Sequence, residues 1–197
     1  MRIFGIDPGS DRTGYGCIEL DGSRHRLVIS GAISSVGASF PEKLLKIHTG
    51  LAVLLAECRP DCVAIENLFF SNNARSALKL GHARGVALLA AVEAGCTIVE
   101  YTPAEVKRAV VGYGRADKRQ VQQMIKLLLG LAQAPTPYDA SDALAVAICH
   151  VHSGVFKASL KTRLYDGATK SVESGQTRPG PTRLPKSWRQ YRPPVPG

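Results

Sequence analysis

The chain has 197 residues, 45% of them hydrophobic, with 25 Lys or Arg against 16 Asp or Glu and a formal net charge of +9. That length supports one well-buried core plus an extension, and no apolar run approaches the ~20 residues that span a bilayer, which excludes a helical membrane protein. The start, Met1-Arg2-Ile3-Phe4-Gly5, lacks the basic-then-apolar order of a secretion signal, so a cytoplasmic location is expected.

Taken in order, Arg2 to Asp7 reads as a short buried strand. Thr13 to Leu20 and Arg24 to Ile33 read as two more, separated by Asp-Pro-Gly and Asp-Gly turns that predict an antiparallel meander. Phe40 to Cys58 carries Leu44, Ile47, Leu51, Leu54, Leu55 and Cys58 at helical spacing, and Pro60 stops it. Cys62 to Ile65 is a continuous apolar strand ending in Glu66. The Ala-, Leu- and Lys-rich stretch Asn73 to Ala94 is a long helix, and Thr97 to Val99 a further strand. Thr102-Pro103-Ala104-Glu105 is a capping box opening a helix to about Val110. Helices follow at Lys118 to Leu129 and Tyr138 to His150. Three antiparallel strands, then alternating strand and helix, predict a mixed α/β sheet with helices on both faces.

The folded body is expected to end near residue 153. From Lys157 onward nine Lys or Arg face only Asp166 and Glu173, and six of the twelve prolines lie at or after Pro179. Residues 154–197 therefore read as a basic, Pro-rich, disordered tail. Cys17, Cys58, Cys62, Cys96 and Cys149 are scattered through apolar segments and read as buried thiols rather than zinc ligands or disulfides. The five histidines do not share the spacing of the acids and are assigned no chemistry.

Four acids occupy positions where a solvated carboxylate is out of place. Asp7 and Glu66 each end an apolar strand, at the carboxyl edge of the sheet where α/β folds place their ligands. Asp139 and Asp142, three apart, share one face at the start of the apolar helix continued by Ala143-Leu144-Ala145-Val146. Singly, each has an ordinary explanation: a turn before Pro8-Gly9 for Asp7, a strand end for Glu66, the helix dipole for the other two. Together they form a cluster that repels itself, since one pair of charges ~4 Å apart costs ~4 kcal/mol at an effective dielectric near 20. Oxygen ligands favour Mg²⁺ or Mn²⁺ over zinc. Two such ions ~3.5–4 Å apart can activate water and stabilise the leaving oxygen of a phosphodiester without a side-chain nucleophile.

Lys107, Arg108, Arg115, Lys118, Arg119 and Lys126 form a basic stretch with only Glu105 and Asp117 as acids. Such a run is often a solvated face, but Lys118 and Arg119 fall in a first helical turn, where cations are disfavoured by ~0.3–1 kcal/mol each and an external anion would explain them. Of Phe69 and Phe70, Phe69 is taken as the exposed one, able to stack on an unpaired base. The helix around Ala83 to Val92 is apolar on more than one face, which suits burial on one side and a two-fold interface on the other.

Several stretches resemble the RuvC family: Gly5-Ile6-Asp7-Pro8-Gly9-Ser10 with Thr13-Gly14-Tyr15-Gly16; Ile65-Glu66 with Phe69; Asn73 to Gly81 with Ala83-Arg84-Gly85; and Tyr138-Asp139-Ala140-Ser141-Asp142-Ala143-Leu144-Ala145. The resemblance spans about residues 1–153. It implies a ribonuclease H-like fold and a two-fold dimer that resolves four-way DNA junctions, in recombination and repair, by paired nicks that leave ligatable 5′-phosphate and 3′-hydroxyl ends. It further implies Asp7, Glu66, Asp139 and Asp142 as catalytic, Mg²⁺-holding carboxylates, Lys107 and Lys118 as phosphate contacts, and Phe69 as a wedge in the junction. Asn73, Ser76, Lys79, Arg84, Arg115 and Arg119 are the further expected DNA contacts, and a RuvA and RuvB branch-migration complex the expected partner.

Three rivals are weighed. Gly5 to Ser10 also resembles the first phosphate loop of actin-like ATPases, which need two such domains. A ribonuclease H-like nuclease acting on RNA is closer. A non-catalytic junction-binding module would gain from losing the acids that this chain retains.

Overall fold

The computed structural model describes residues 1–22, 24–67 and 73–168, with side chains described as far as residue 153. Phe69, Phe70 and the segment from 169 onward lie outside the described residues. The chain divides into two units, Met1–Ser159 and Leu160–Gly197. The first holds the sheet; the described part of the second is helix as far as Ala168.

The elements in order are β1 (Arg2–Asp7), β2 (Arg12–Asp21), β3 (Arg24–Ser34), α1 (Phe40–Cys58), β4 (Cys62–Glu66), α2 (Ala74–Glu93), β5 (Thr97–Tyr101), α3 (Pro103–Val111), α4 (Lys118–Leu128) and α5 (Tyr138–Ala168). Among the described residues the five strands form one sheet, ordered β3-β2-β1-β4-β5. The β1–β2 and β2–β3 pairs are antiparallel, and β1–β4 and β4–β5 parallel, as the strand pattern predicts.

Alternation along β1 sorts the core into two layers. Phe4 and Ile6 face one way and pack, with Val63 and Ile65 of β4, against Ile47, Leu51 and Leu55 of α1 and Ala83, Ala87 and Ala90 of α2. Ile3 and Ala64 face the other way, against Leu144, Ala147 and Ile148 of α5 with Val106 of α3 and Val121 of α4. In a strand, residues two apart share a face, so Asp7 and Glu66 emerge on the α5 side.

Two boundaries differ from expectation by more than one residue. β5 continues past Val99 to Tyr101 because Ile65 pairs with Glu100 and Glu66 with Tyr101, and Arg84 Nη2 bonds Glu100 Oε2 at 2.6 Å, which answers the charge on this otherwise apolar strand. α5 runs on from His150 to Ala168. Residues 154–168 contain no proline, and their Ala, Leu, Lys and Arg favour helix against the cost of Gly154 and Gly167.

Candidate active site

Parallel pairing of Ile6 with Ile65 brings the two strand ends level, and the next residues along are Asp7 and Glu66. α5 then crosses the same edge at unusually close range. A Cβ on Gly5 would lie 2.0 Å from the Ala143 carbonyl oxygen, one on Gly14 2.0 Å from that of Asp139, and one on Gly16 2.6 Å from Leu144 Cδ2. Gly5 pairs with Gly16 and Asp7 with Gly14, so these side-chain-free positions form a patch on which the helix backbone rests. The buried Ser141 hydroxyl and Gln122 amide both donate to the Pro135 carbonyl, at 2.8 Å each, and fix the loop leading into α5.

The product is a cleft of ≈ 250 Å³ lined by Asp7, Glu66 and Asp142 with Lys107, Lys118, Pro103 and Val106. Asp139 does not line it. Its backbone rests on Gly14, and its charge acts on Asp7 and Lys118. The sequence-predicted carboxylates are thus gathered at one edge, three in the cleft and one beside it. Lys107 is carried by α3, whose start is capped by the Thr102–Glu105 box, and Lys118 opens α4 behind Asp117, whose carboxylate accepts from Gln120 N at 2.8 Å.

The electrostatics follow from that crowding. Burial holds the Asp7 carboxyl well above the usual carboxylate range, and Glu66, Asp142 and Asp139 push it the same way against Lys118. Burial, then Asp142, also raises Glu66, while a hydrogen bond with Asp7 and the charges of Lys118 and Lys107 pull it down. Lys118 Nζ donates to Asp142 Oδ2 at 2.8 Å, and this bond raises the ammonium pKa. The first-turn cation that suggested an external anion therefore has a carboxylate of the site itself as partner.

These features fit a hard divalent cation: the donors are carboxylate oxygens, and a buried carboxyl whose pKa is raised by other acids marks a place short of positive charge. Among the described residues no three His, Cys, Asp or Glu side chains close into a ligand cage. The acids share an open cleft instead, with Lys118 supplying positive charge against Asp142.

The other expected DNA contacts divide. Asn73, Ser76 and Lys79 are exposed at the start of α2, where Asn73 caps the helix by accepting from Arg75 N and Ser76 N, and Arg115 and Arg119 are exposed but not among the residues that line the cleft. Arg84 is mostly sheltered on Glu100, with its Nε buried and unbonded. The histidines have local partners, such as Tyr101 Oη on His150 Nδ1 at 2.8 Å and the Ala109 carbonyl on His152 Nδ1 at 2.9 Å. A pairing that sequence spacing did not expose is Asp11 with Lys43, 32 residues apart, at the far side of the loop after Asp7.

Comparison with known proteins agrees with this architecture. The family model described as crossover junction endodeoxyribonuclease RuvC matches residues 3–150. A protein of that name from Geobacter sp. (strain M21) is 57% identical over 162 residues, 82% of this chain and 98% of its own. Another from Alkaliphilus metalliredigens is 52% identical over 164 residues, 83% and 100%. The solved structure of Thermus thermophilus RuvC in complex with Holliday junction substrate is 36% identical with a TM-score of 0.73, covering 78% of this chain and 94% of that one. A mixed sheet in the order found here, with helices on both faces and acids at its carboxyl edge, is the ribonuclease H-like fold, and the chain belongs to the RuvC family of crossover junction endodeoxyribonucleases.

Proposed function

We propose that the protein is a Mg²⁺-dependent endonuclease that resolves Holliday junctions by paired, symmetric nicks, with Asp7, Glu66, Asp139 and Asp142 holding two ions and Mn²⁺ able to substitute. The observation that carries this reading is the meeting of Asp7 and Glu66 under Asp142, beside Lys107 and Lys118, in one open cleft. Divalent ions bound there supply water activation and charge neutralisation at the leaving oxygen. The chain's own part is placement. β1 and β4 fix two carboxylates, α5 brings the others across the glycine patch, and Lys107 and Lys118 orient the scissile phosphate, with Arg115 and Arg119 exposed to the flanking backbone.

A junction is two-fold, and its resolution requires two cuts, so a homodimer is the working form. The exposed Leu78, Leu89 and Val92 of α2, with Gly81 and Gly85 between them, offer the apolar, small-residue face that such contact requires. Phe69 wedges into the crossover, the exposed Asn73, Ser76 and Lys79 contribute on the α2 side, and RuvA and RuvB deliver the substrate in the cytoplasm. Residues 154–197 form a basic extension to the nuclease domain of residues 1–153.

The test is incubation with a synthetic four-way junction, a linear duplex and an RNA–DNA hybrid, with Mg²⁺ or EDTA, mapping nicks on every strand. Metal-dependent paired nicks on the junction alone are expected. Cleavage that persists in EDTA, or that is equal on all three substrates, overturns the assignment.

A further inference from the structure

On the opposite side of the loop that follows Asp7, a second cleft of ≈ 460 Å³ is lined by Ser10, Asp11, Phe40, Lys43, Ser76 and Lys79, with Ala38 and Leu80. Its floor is built rather than accidental. The Ser35 hydroxyl donates to the carbonyls of Ser10 (2.8 Å) and Asp11 (3.1 Å), Ser35 N donates to Asp11 O at 2.9 Å, and the Thr13 hydroxyl donates to the Gly9 carbonyl at 2.8 Å. From this anchored loop Asp11 reaches out to Lys43. The two partners are unequal: the Lys43 side chain is only 19% exposed, while that of Asp11 is 64% exposed. A sheltered ammonium thus faces an open cleft, and its ion-pair partner is an acid standing in solvent. Lys43, then Lys79, holds the Asp11 carboxyl below its usual range, so both ammonium groups act on the same space.

We propose that this cleft binds a backbone phosphate of the DNA strand and that Asp11 occupies the Lys43 ammonium until the phosphate displaces it. The proposal rests on the nuclease reading and deepens it. Ser76 and Lys79 were expected to meet DNA on resemblance; Lys43 as a phosphate contact and Asp11 as its internal competitor come from the geometry. Asp11 is four residues on from Asp7, at most ~14 Å of chain. Successive phosphates advance ~3.4 Å per strand along a duplex, so a strand crossing the carboxyl edge of β1 meets the carboxylates on one face and Lys43 and Lys79 a few phosphates away on the other. A phosphate with Ser10 and Ser76 hydroxyls and two ammonium groups around it gains more contacts than the one carboxylate it replaces.

The competitor gives the test its sign. Binding to a four-way junction and to a linear duplex is measured without divalent metal for the parent, Asp11→Asn, Lys43→Met, which keeps the buried stem, and the double variant. Asp11→Asn is expected to tighten binding by about two- to fivefold, the scale of one exposed ion pair. Lys43→Met loosens it by about two- to tenfold, with a shallower salt dependence. Asp11→Asn adds little in the Lys43→Met background. An unchanged or weaker affinity in Asp11→Asn overturns the proposal, as does a gain that survives undiminished without Lys43, because the effect would then be general charge. A parent that does not prefer junction over duplex counts against the functional reading instead, and the Asp11–Lys43 coupling is still read on the duplex.

Discussion

Gly14 lies directly against the backbone of Asp139: a Cβ at Gly14 would stand 2.0 Å from the Asp139 carbonyl oxygen and 3.1 Å from its Cβ. Neither backbone can yield without moving the other. Gly14→Ala must therefore lift the start of α5 off β2, at a cost of ~1–3 kcal/mol or more, and carry Asp139 and Asp142 away from Asp7. Thermal unfolding is expected to show the lower stability, and junction cleavage to fall further than the loss of folded protein explains.

Asp7→Asn separates stability from activity. A carboxyl raised in the fold favours folding while protonated; that contribution is complete below the ordinary Asp value, ~3.9, and fades as pH rises through the folded one. Near neutral pH the metal-free Asn variant should then melt about 2–4 °C higher than the parent, the shift that ~1 kcal/mol gives a chain of this size. The difference between the two proteins should shrink toward acid pH. Asp11, Glu19 and Glu42 are shifted the other way, so the difference, not the absolute curve, is the quantity to follow. Mg²⁺ should raise the melting temperature of the parent more than that of the variant, and the variant should not cleave.

Lys118→Ala removes the only cation hydrogen-bonded to Asp142 among the described residues. Because the Lys118 side chain is 67% exposed, unfolding should change by less than about 1 kcal/mol. Cleavage should nonetheless fall about 10- to 100-fold, as when the partner of a metal-holding side chain is lost. Single-turnover rates at saturating junction distinguish this from weaker binding.

The outer stripe of α2 predicts the oligomer. Leu89 is half-exposed and stands on the same face as Leu78, Gly81, Gly85 and Val92. Leu89→Glu is expected to turn a dimer into a monomer in sedimentation and to replace paired cuts by single nicks. A parent that sediments as a monomer at micromolar concentration contradicts the two-fold assembly.

For Phe69, base stacking worth ~1–3 kcal/mol sets the scale: Phe69→Ala should slow junction cleavage about 5- to 150-fold, with Phe69→Trp recovering most of it. Duplex binding should hardly change, because stacking requires an unpaired base.

Much of this was legible in the chain because the pattern was local. Short continuous apolar runs marked β1 and β4 and put Asp7 and Glu66 at their ends, and spacing placed Asp139 and Asp142 on one helical face. The element order then predicted the sheet. What local pattern could not show was contact between distant segments. Lys43 meets Asp11 and Arg84 meets Glu100 only after α1, α2 and β5 have packed. Lys118 looked misplaced in its own helix, and only the approach of α5 supplied its partner. The overrun of α5 past His150 has a different reason: a stretch without apolar periodicity can still be helical when many of its residues favour helix and no proline interrupts it.

One helix supplies half of the acids, and its first turns rest on the glycine patch by backbone contact while Leu144, Ala147 and Ile148 pack into the core. Backbone contact of that kind fixes how closely helix and sheet approach. The distance between the strand-borne and helix-borne carboxylates is therefore governed by how α5 is seated over its whole buried length. A bulky residue at the fully buried Ala147, five residues beyond Asp142 and against Gly5, would disturb that seating and move the carboxylates without entering the cleft.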